Sequence, residues 1–261
     1  SNMITTDQWI TITETESTNK LLLEGDYPSG TMVTARRQTK GRGRQGKTWN
    51  NTWARSFLFS LVLEFDEVPK AATAIPLIAG LCVLEAASAC LKDLYPAAAS
   101  QATFSFKWPN DVLVRRGDVT GKLAGILLES KIENGKFRLV TGVGLNWSAV
   151  PSKVADAAFQ PVALFQDDFP QAEEPEQFTG WLISAFNKYH YDQPAFTAQI
   201  KESILDRFYL KGKLLSGPFG RAKFEDLADD GALLLRADDG NIIRYDRTDH
   251  ELQIEGNATS L

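Results

Sequence analysis

The alternation of apolar and polar residues predicts a strand, a short capped helix and two further strands in the first quarter of the chain. Residues 8–13 alternate as a strand does. Residues 17–25 open with the N-cap types Ser-Thr-Asn, continue with three leucines and end on glycine, which indicates a short helix. Residues 31–36 and the strongly apolar residues 56–64 are the next strands, and a long polar loop separates them.

The middle of the chain predicts one long helix followed by an antiparallel meander. Residues 69–94 are rich in Ala, Leu and Ile, with polar residues thinly spaced, and we expect them to form the main core helix. From residue 103 the period changes to two, and further strands follow at 111–115, 121–132 and 137–147. Turn residues separate these strands, which is typical of consecutive antiparallel pairing.

The remaining sequence predicts two helices and a small β-rich unit. Residues 176–191 and 194–209 carry the apolar stripe of amphipathic helices. Short apolar segments broken by Gly-Pro and Asp-Gly then indicate a small all-β barrel. We therefore expect two domains, a catalytic or binding domain over residues 1–211 and a barrel over residues 212–261.

Composition and charge exclude several classes of protein. The 261 residues are 43% hydrophobic and 23% charged, which is typical of a globular protein with a substantial core. A net charge of −5 argues against a protein built mainly to bind nucleic acid. The apolar stretch 71–84 is shorter than a membrane span requires, so we expect no membrane segment. The first residues lack the pattern of a signal peptide, from which we expect a cytoplasmic location.

Cysteine and histidine chemistry is not indicated. Cys82 and Cys90 lie eight residues apart in one predicted helix, which separates their backbones by about 12 Å and precludes a disulfide between them. His190 and His250 have no cysteine or carboxylate cluster near them in sequence. A structural zinc site and a Cys-His or Ser-His-Asp nucleophile are therefore not expected.

A basic, glycine-rich segment at residues 36–47 stands out in this acidic chain. It holds six basic residues and three glycines in twelve positions, with no acidic residue. Its glycines match G-x-G-x-x-G, but residues 47–52 show no helical periodicity, so a dinucleotide-binding turn is not supported. Two interpretations remain, a loop that closes over an anion with its amides and guanidinium groups, and a solvated basic loop.

Three later segments place polar groups on predicted strands. Lys107 ends a strand before Pro109, and is either a positioned cation or a gatekeeper on an edge strand. By strand alternation, Lys122 lies on the same face as buried apolar residues. Burying a lysine there is unfavourable unless an anion meets it or its side chain extends to solvent. Residues 142–146 read Gly-Val-Gly-Leu-Asn, and glycines inside a strand indicate a bulge or the close approach of a ligand.

Taken in order, these segments resemble the catalytic domain of the biotin protein ligases. The motifs are E-S-T-N at 16–19, Q-T-K-G-R-G-R-Q-G at 38–46 with Trp49 after it, K-W-P-N-D at 107–111, K-L-A-G-I-L-L-E at 122–129 and G-V-G-L-N at 142–146. The resemblance implies an α+β fold like that of the class II aminoacyl-tRNA synthetases, with a mixed, mainly antiparallel sheet and helices. The β-rich end resembles the small SH3-like barrel of the same family.

The activity that the resemblance implies is a two-step ligation, with ATP and biotin as substrates and Mg²⁺ arriving with ATP. Biotin and ATP give biotinyl-5′-AMP and pyrophosphate, and a specific lysine of a biotin carboxyl carrier domain then takes the biotin and releases AMP. Preorganised cations reduce the repulsion between the reacting anions. The enzyme class implied is biotin–[acetyl-CoA-carboxylase] ligase.

The resemblance also assigns residues to the site. The catalytic cations it implies are Lys107, Arg42 and Arg44. The implied biotin-binding residues are Ser17, Thr18, Asn19, Gln38, Gly41, Arg42, Gly43, Arg44, Lys107 and Gly125. The implied residues on the nucleotide side are Trp49, Asn110, Lys122, Gly144 and Asn146. The resemblance identifies no protein ligand for a metal ion.

Other functions remain open at this point. Lipoate or octanoate ligases are thought to share the catalytic fold, and a non-catalytic biotin-binding protein, a small-molecule sensor or a nucleic-acid-binding module could use the same loop. As Glu16 opens the first motif, we expect no DNA-binding domain before it and no binding to DNA. The expected partner is a biotin carboxyl carrier domain of a biotin-dependent carboxylase, the expected assembly a monomer or a homodimer, and no membrane association is expected.

Overall fold

A seven-stranded mixed sheet forms the centre of the computed structural model, which describes residues 4–41, 55–148, 150, 153–166 and 174–257. Its strands are β1 (Trp9–Thr15), β2 (Met32–Gln38), β3 (Ser56–Phe65), β4 (Ala102–Lys107), β5 (Asp111–Arg116), β6 (Val119–Glu133) and β7 (Lys136–Asn146). They lie in the order β1-β2-β3-β7-β6-β5-β4. β1 and β2 are parallel, and every other adjacent pair is antiparallel. The predicted meander from β4 to β7 is confirmed.

Helices cover the two faces of this sheet unequally. They are α1 (Thr18–Glu24), α2 (Ile75–Leu94), α3 (Pro96–Ala99), α4 (Phe178–Lys188) and α5 (Ala198–Leu205). The first, α1, lies over β2, β3, β6 and β7 on one face, where Leu22 packs with Val33, Val62 and Val140. The main core lies on the other face, where α2 contacts β4, β5, β6, α4 and α5. The short helix α1 therefore leaves part of its own face to the site described below.

Helix α2 is the predicted core helix, although it begins later than residue 69. A 3-10 turn over Ala72–Ala74 precedes it, and Pro76 occupies its first turn, where a missing N–H costs nothing. In the described residues, Ala72–Leu94 is long and apolar enough to cross a membrane, so the prediction from stretch 71–84 underestimated its length. However, 78% of its most apolar window is buried inside the protein, as in a core helix.

The C-terminal residues form a second, five-stranded antiparallel sheet. Its strands are β8 (Lys213–Gly217), β9 (Gly220–Leu227), β10 (Leu233–Ala237), β11 (Ile242–Tyr245) and β12 (Gln253–Asn257). The order is β11-β10-β9-β8-β12. Among the described residues β11 and β12 are the two edges, so the sheet is open and closure into the predicted SH3-like barrel is not confirmed.

Candidate active site

The N-terminus of α1 is held at the ends of the parallel strands β1 and β2. The Thr39 amide donates to the Thr15 carbonyl at 3.0 Å, and the Lys40 amide donates to the Glu16 carbonyl at 2.8 Å. Ser17 caps the helix, and its Oγ accepts the Lys20 amide at 3.3 Å. Gly41, a predicted biotin contact, is buried directly after this crossing.

Glu16 adds a charged rim to this helix end. Its carboxylate lies 2.8 Å from Lys20 Nζ and 3.5 Å from Lys40 Nζ. The hydrogen bond from Lys20 and then the charges of both lysines lower the pKa of the Glu16 carboxyl below its usual range. The E-S-T-N motif therefore has one solvent-exposed, charged residue followed by three buried polar ones.

Thr18 is the centre of a buried hydrogen-bond cluster. Its amide donates to Gln38 Oε1 at 2.8 Å, and its hydroxyl donates to the same oxygen at 3.1 Å. Ser60 Oγ, on β3, lies 2.7 Å from Thr18 Oγ1 and 2.5 Å from Asn19 Oδ1. Two predicted biotin-binding residues, Thr18 and Gln38, thus touch directly, and Ser60 supports them from beneath.

Asn19 is fixed from below by β6 and β7. Its Nδ2 donates to the Leu127 carbonyl and to Glu129 Oε1, both at 3.1 Å. A Cβ at Gly142 would lie 2.3 Å from Asn19 Oδ1, so glycine is required there for the amide to fit. Asn19 is 4% exposed, and its amide oxygen and nitrogen both have protein partners. This environment makes Asn19 a supporting residue more than a direct ligand contact.

Arg138 on β7 anchors the opposite end of α1. The guanidinium donates to the carbonyls of Leu22, at 2.8 and 3.2 Å, and Gly25, at 3.1 Å, which are acceptors left open at the helix C-terminus. It also pairs with Glu64 at 2.6 Å, although Arg138 itself is 4% exposed. Both ends of a two-turn helix are therefore fixed to the sheet.

One row of residues crosses the sheet on the α1 face and ends at Lys107. Its register pairs join Leu58 to Gly144, Gly144 to Gly125, Gly125 to Asp111 and Asp111 to Lys107. Directly paired residues point to the same face, so the two glycines form a floor without side chains. From β7 to β4 this row spans three strand spacings, about 14 Å.

Lys107 is buried at the end of β4. It is 6% exposed, and its Nζ lies 6.0 Å from the centre of the Phe159 ring. The outer edge of β4 is occupied beside it, because Phe106 bonds through its backbone to Arg207 at 2.8 Å and to Tyr209 at 2.9 Å. An edge gatekeeper needs an open edge and an exposed charge. The structure therefore favours the positioned cation.

Lys122 meets an anion from its own sheet. Its Nζ lies 3.1 Å from Asp111 Oδ1, in the row that carries Lys107. The pairing of β5 with β6 shifts between Val112 and Leu113, and this irregularity accompanies the unusual face of Lys122. Asp111 thus lies between two lysines, paired in register with Lys107 and by charge with Lys122.

Three buried polar groups close to this row lack a hydrogen-bond partner among the described residues. Asn110 Nδ2 donates to the Ile126 carbonyl at 2.8 Å and Asn146 Nδ2 to the Lys122 carbonyl at 3.2 Å, yet the Oδ1 atom of each is unpaired. Ser56 Oγ, whose residue pairs with Asn146 in the sheet, is the third. Buried acceptors without partners are costly, so they mark where a ligand donor fits.

The remaining predicted site residues are Arg42, Gly43, Arg44 and Trp49, which lie outside the described residues. Within the described ones, no group of three or more His, Cys, Asp or Glu side chains is arranged to hold a metal ion.

Comparison with known proteins identifies the family. The model of the Biotin/lipoate A/B protein ligase family matches residues 8–146. The chain belongs to this family. It is 33% identical over 239 residues to the biotin–[acetyl-CoA-carboxylase] ligase of Paracoccus denitrificans, covering 88% of this chain and 94% of that protein. Over 148 residues it is 36% identical to the ligase of the same name from Mycobacterium tuberculosis, covering 55% of this chain and 50% of that protein.

A solved structure extends the family likeness to nearly the whole chain. The biotin protein ligase from Aquifex aeolicus, in complex with biotin and ATP, is similar with a TM-score of 0.71 and 25% identity, covering 95% of this chain and 100% of that one. The family's catalytic fold, a mixed sheet with helices, is thereby confirmed for this chain. The resemblance found in the sequence motifs is confirmed as well.

Sequence reasoning missed Ser60 and Arg138 as parts of this site. Ser60 interrupts an apolar strand, Ser-Phe-Leu-Phe-Ser-Leu, and a polar residue in such a run is a signal that a buried partner exists. Arg138 similarly lies within a strand that is otherwise largely apolar, where burial demands several acceptors. Glu129 and Gly142 lay inside the quoted motifs without an assigned role.

Proposed function

We propose that this chain is an ATP-dependent biotin protein ligase, which forms biotinyl-5′-AMP and then transfers biotin to a lysine of a biotin carboxyl carrier domain. The observation that carries the proposal is the paired Gly125–Gly144 floor. It runs between a neutral hydrogen-bonding cluster at α1 and the buried cation Lys107. A ligand with a neutral polar head and an anionic tail fits that arrangement.

The head of biotin binds at Thr18 and Gln38 in this proposal. A ureido ring carries N–H donors beside a carbonyl acceptor, and hydroxyl and amide groups satisfy both kinds. Ser17 closes the same corner from the N-cap position. In sequence two residues separate the end of β2 from Gly41. The other biotin-binding residues of the proposal are Asn19, Gly41, Arg42, Gly43, Arg44, Lys107 and Gly125.

Lys107 serves the first chemical step. The biotin carboxylate attacks the α-phosphorus of ATP, the bond to the pyrophosphate breaks, and two anions must approach each other. A buried cation lowers that repulsion more than an exposed one because the surrounding dielectric is low. Arg42 and Arg44 act with Lys107 on the carboxylate and the α-phosphate.

The nucleotide binds beside the row, where buried oxygens lack hydrogen-bond partners among the described residues. Asn110 and Asn146 offer acceptors, Gly144 allows close approach, and Lys122 adds positive charge beside Asp111. Trp49 completes this side. Mg²⁺ arrives with ATP, bound by its phosphates.

In the second step the acceptor lysine of the carrier attacks the carbonyl of the mixed anhydride as a neutral amine. The C–N bond forms, the C–O bond to phosphate breaks, and AMP leaves while the amine loses its proton. The carrier belongs to a biotin-dependent carboxylase, which accords with the names of the relatives.

The proposal also covers the domain boundaries, the cellular location and the assembly of the enzyme. We propose that residues 1–211 form the catalytic domain, that residues 212–261 form an SH3-like unit, and that the enzyme acts in the cytoplasm as a monomer or homodimer without binding DNA. Two contacts support a role for the second sheet near the site. Trp108 of K-W-P-N-D donates to the Gly231 carbonyl at 2.9 Å and packs against Tyr245, with the rings 6.0 Å apart.

Intact mass spectrometry of a carrier domain tests the proposal. The chain is incubated with the carrier, ATP, Mg²⁺ and equimolar biotin and lipoate, beside a carrier that lacks the acceptor lysine. A biotin-sized increment that requires both ATP and that lysine is expected. A lipoyl increment would assign the chain to the lipoate branch of the family. The absence of both increments and of adenylate would leave a binding protein.

A further inference from the structure

We propose that Ser60 and Glu129 are positioning residues that act through Asn19 to fix which groups at the head pocket donate and which accept hydrogen bonds, making the pocket selective for a cyclic urea. This inference rests on the proposed function. Neither side chain belongs to the predicted biotin contacts. Both act through a buried chain of hydrogen bonds that ends at Thr18 and Gln38.

Glu129 and the Leu127 carbonyl orient the Asn19 amide. A carboxylate and a carbonyl can only accept, so the NH₂ group of Asn19 must face them, which places Oδ1 toward Ser60. The glycine at 142 leaves room for that orientation, since any Cβ there would collide with Oδ1. Asn19 therefore presents an acceptor, and only an acceptor, to Ser60.

Ser60 transmits this orientation to Thr18. Its hydroxyl has one proton, and Asn19 Oδ1 at 2.5 Å needs that proton because an amide oxygen cannot donate. The Thr18 hydroxyl, 2.7 Å from Ser60 and 3.1 Å from Gln38 Oε1, must then use its own proton on one of these two oxygens. In either case the proton of Thr18 is used inside the protein.

The result is a pair of fixed and opposite hydrogen-bonding groups. Thr18 Oγ1 has a lone pair to offer a ligand and no proton. Gln38 Oε1 is occupied by the Thr18 amide at 2.8 Å, so its NH₂ group is the donor left for a ligand. An acceptor beside a donor matches a ligand N–H beside its C=O, as in a cyclic urea.

The same arrangement disfavours a dithiolane ring. Its sulfur atoms are weak acceptors and it has no donor, so Thr18 and Gln38 would be desolvated without partners, a penalty that produces strong discrimination. Ser60 is fully buried and Thr18 is 3% exposed, so water cannot readily reorient their hydroxyls. Which of these groups donates and which accepts a hydrogen bond is thus fixed before the ligand binds.

Steady-state kinetics of Ser60→Ala and Glu129→Gln test the inference. Ser130→Ala and Glu133→Gln, at exposed residues on β6, the strand of Glu129, are the matched controls. For Ser60→Ala we expect KM for biotin to rise about 10-fold, the equivalent of one net hydrogen bond, and for Glu129→Gln about 3-fold. KM for ATP stays unchanged, and the preference for biotin over lipoate falls by the same factors.

Coupling gives a second readout that loss of structure would not mimic. Because both residues act on Thr18 through Asn19, the double variant should raise KM for biotin by less than the product of the two single effects. Equal increases in the two KM values, or values equal to those of the controls, would overturn the inference. If Ser60→Ala fails to fold, Glu129→Gln decides alone, since it preserves the side-chain shape.

Failure of the proposed function is distinguishable from failure of the inference. If the wild-type chain forms no biotinyl-5′-AMP, the ligase proposal fails. Calorimetric measurement of biotin binding to the same four variants still tests the role of the hydrogen-bond chain through Asn19. Unchanged biotin affinity in both Ser60→Ala and Glu129→Gln would then overturn the inference, whatever the activity of the chain.

Discussion

Two parts of the candidate site differ in whether their buried polar groups have hydrogen-bond partners within the protein. At the α1 end, the side chains of Thr18, Asn19 and Ser60 all have protein partners. Along the row that leads to Lys107, the buried oxygens of Asn110 and Asn146 have no hydrogen-bond partner among the described residues. In the first part each of these side chains already has a protein partner, whereas in the second two buried oxygens lack one among the described residues.

This difference suits two kinds of recognition. A neutral head gains little from each hydrogen bond, so its selectivity depends on donors and acceptors that cannot rearrange. A charged, transient arrangement of carboxylate and phosphate needs strong interactions where charge develops. Unsatisfied acceptors and a buried cation supply these at some cost to the stability of the free protein.

Replacing Lys107 should give the largest effect on the rate of the first step, because it removes the buried cation of the site. We expect Lys107→Ala to slow formation of biotinyl-5′-AMP by about 100- to 1000-fold, as for the loss of one preorganised charge or donor. Pyrophosphate release measures the rate, and Lys131→Ala, on β6, is the control. Unchanged pyrophosphate release by Lys107→Ala would remove Lys107 from the mechanism.

A methyl group at residue 142 should disturb the buried hydrogen-bond cluster at α1. Since a Cβ there meets Asn19 Oδ1 at 2.3 Å, Gly142→Ala should displace the amide and raise KM for biotin by about 10- to 100-fold, one to two lost hydrogen bonds. KM for ATP should change far less. Gly180→Ala in α4, where nothing lies within 4 Å of the added Cβ, is the control. It should stabilise the protein slightly, by about 0.5–1 kcal/mol.

Two buried serines on β3, one with and one without a hydrogen-bond partner among the described residues, can be compared by the same substitution. Ser60→Ala leaves Asn19 Oδ1 without its donor, so we expect a loss of about 1–2 kcal/mol in the free energy of unfolding. Ser56→Ala removes a buried hydroxyl that has no hydrogen-bond partner among the described residues, and stability should stay within about 0.5 kcal/mol or increase. Urea unfolding measures both. Equal losses would contradict the distinction between the two kinds of buried polar group.

The smallest effect concerns a satisfied pair on the core face beside Gly142. Thr141 and Tyr191 are buried and hydrogen-bonded at 2.5 Å, and burial raises the pKa of the Tyr191 phenol above its usual value. The neutral phenol therefore contributes stability that is complete below about pH 10 and is lost as the pH rises through the folded-state pKa. Tyr191→Phe should be less stable near pH 8 but should lose less stability between pH 9 and 11, as measured by urea unfolding. A parallel decline in both proteins would contradict this linkage.

Local sequence predicted most elements because their signals are local. The Ser17 cap, the glycine after α1 and the turns near Gly117 and Asn134 specify where elements begin and end. The predicted helix over 194–209 shortened to α5, because Thr197 caps it at the start and the chain turns after Leu205 to bond with β4. Barrel closure in the second sheet depends on pairing between distant edges, which no local pattern encodes.

The sequence by itself determined the family motifs, their order and the residues that carry charge. Periodicity and capping are short-range properties, so the alternation in β4 already placed Lys107 opposite Phe106. Only the tertiary structure decided that Gly125 pairs with Gly144, that Asp111 meets Lys122, and that Ser60 and Glu129 converge on Asn19. These contacts join residues up to 110 positions apart. They follow from strand register, which is set by the packing of the whole sheet.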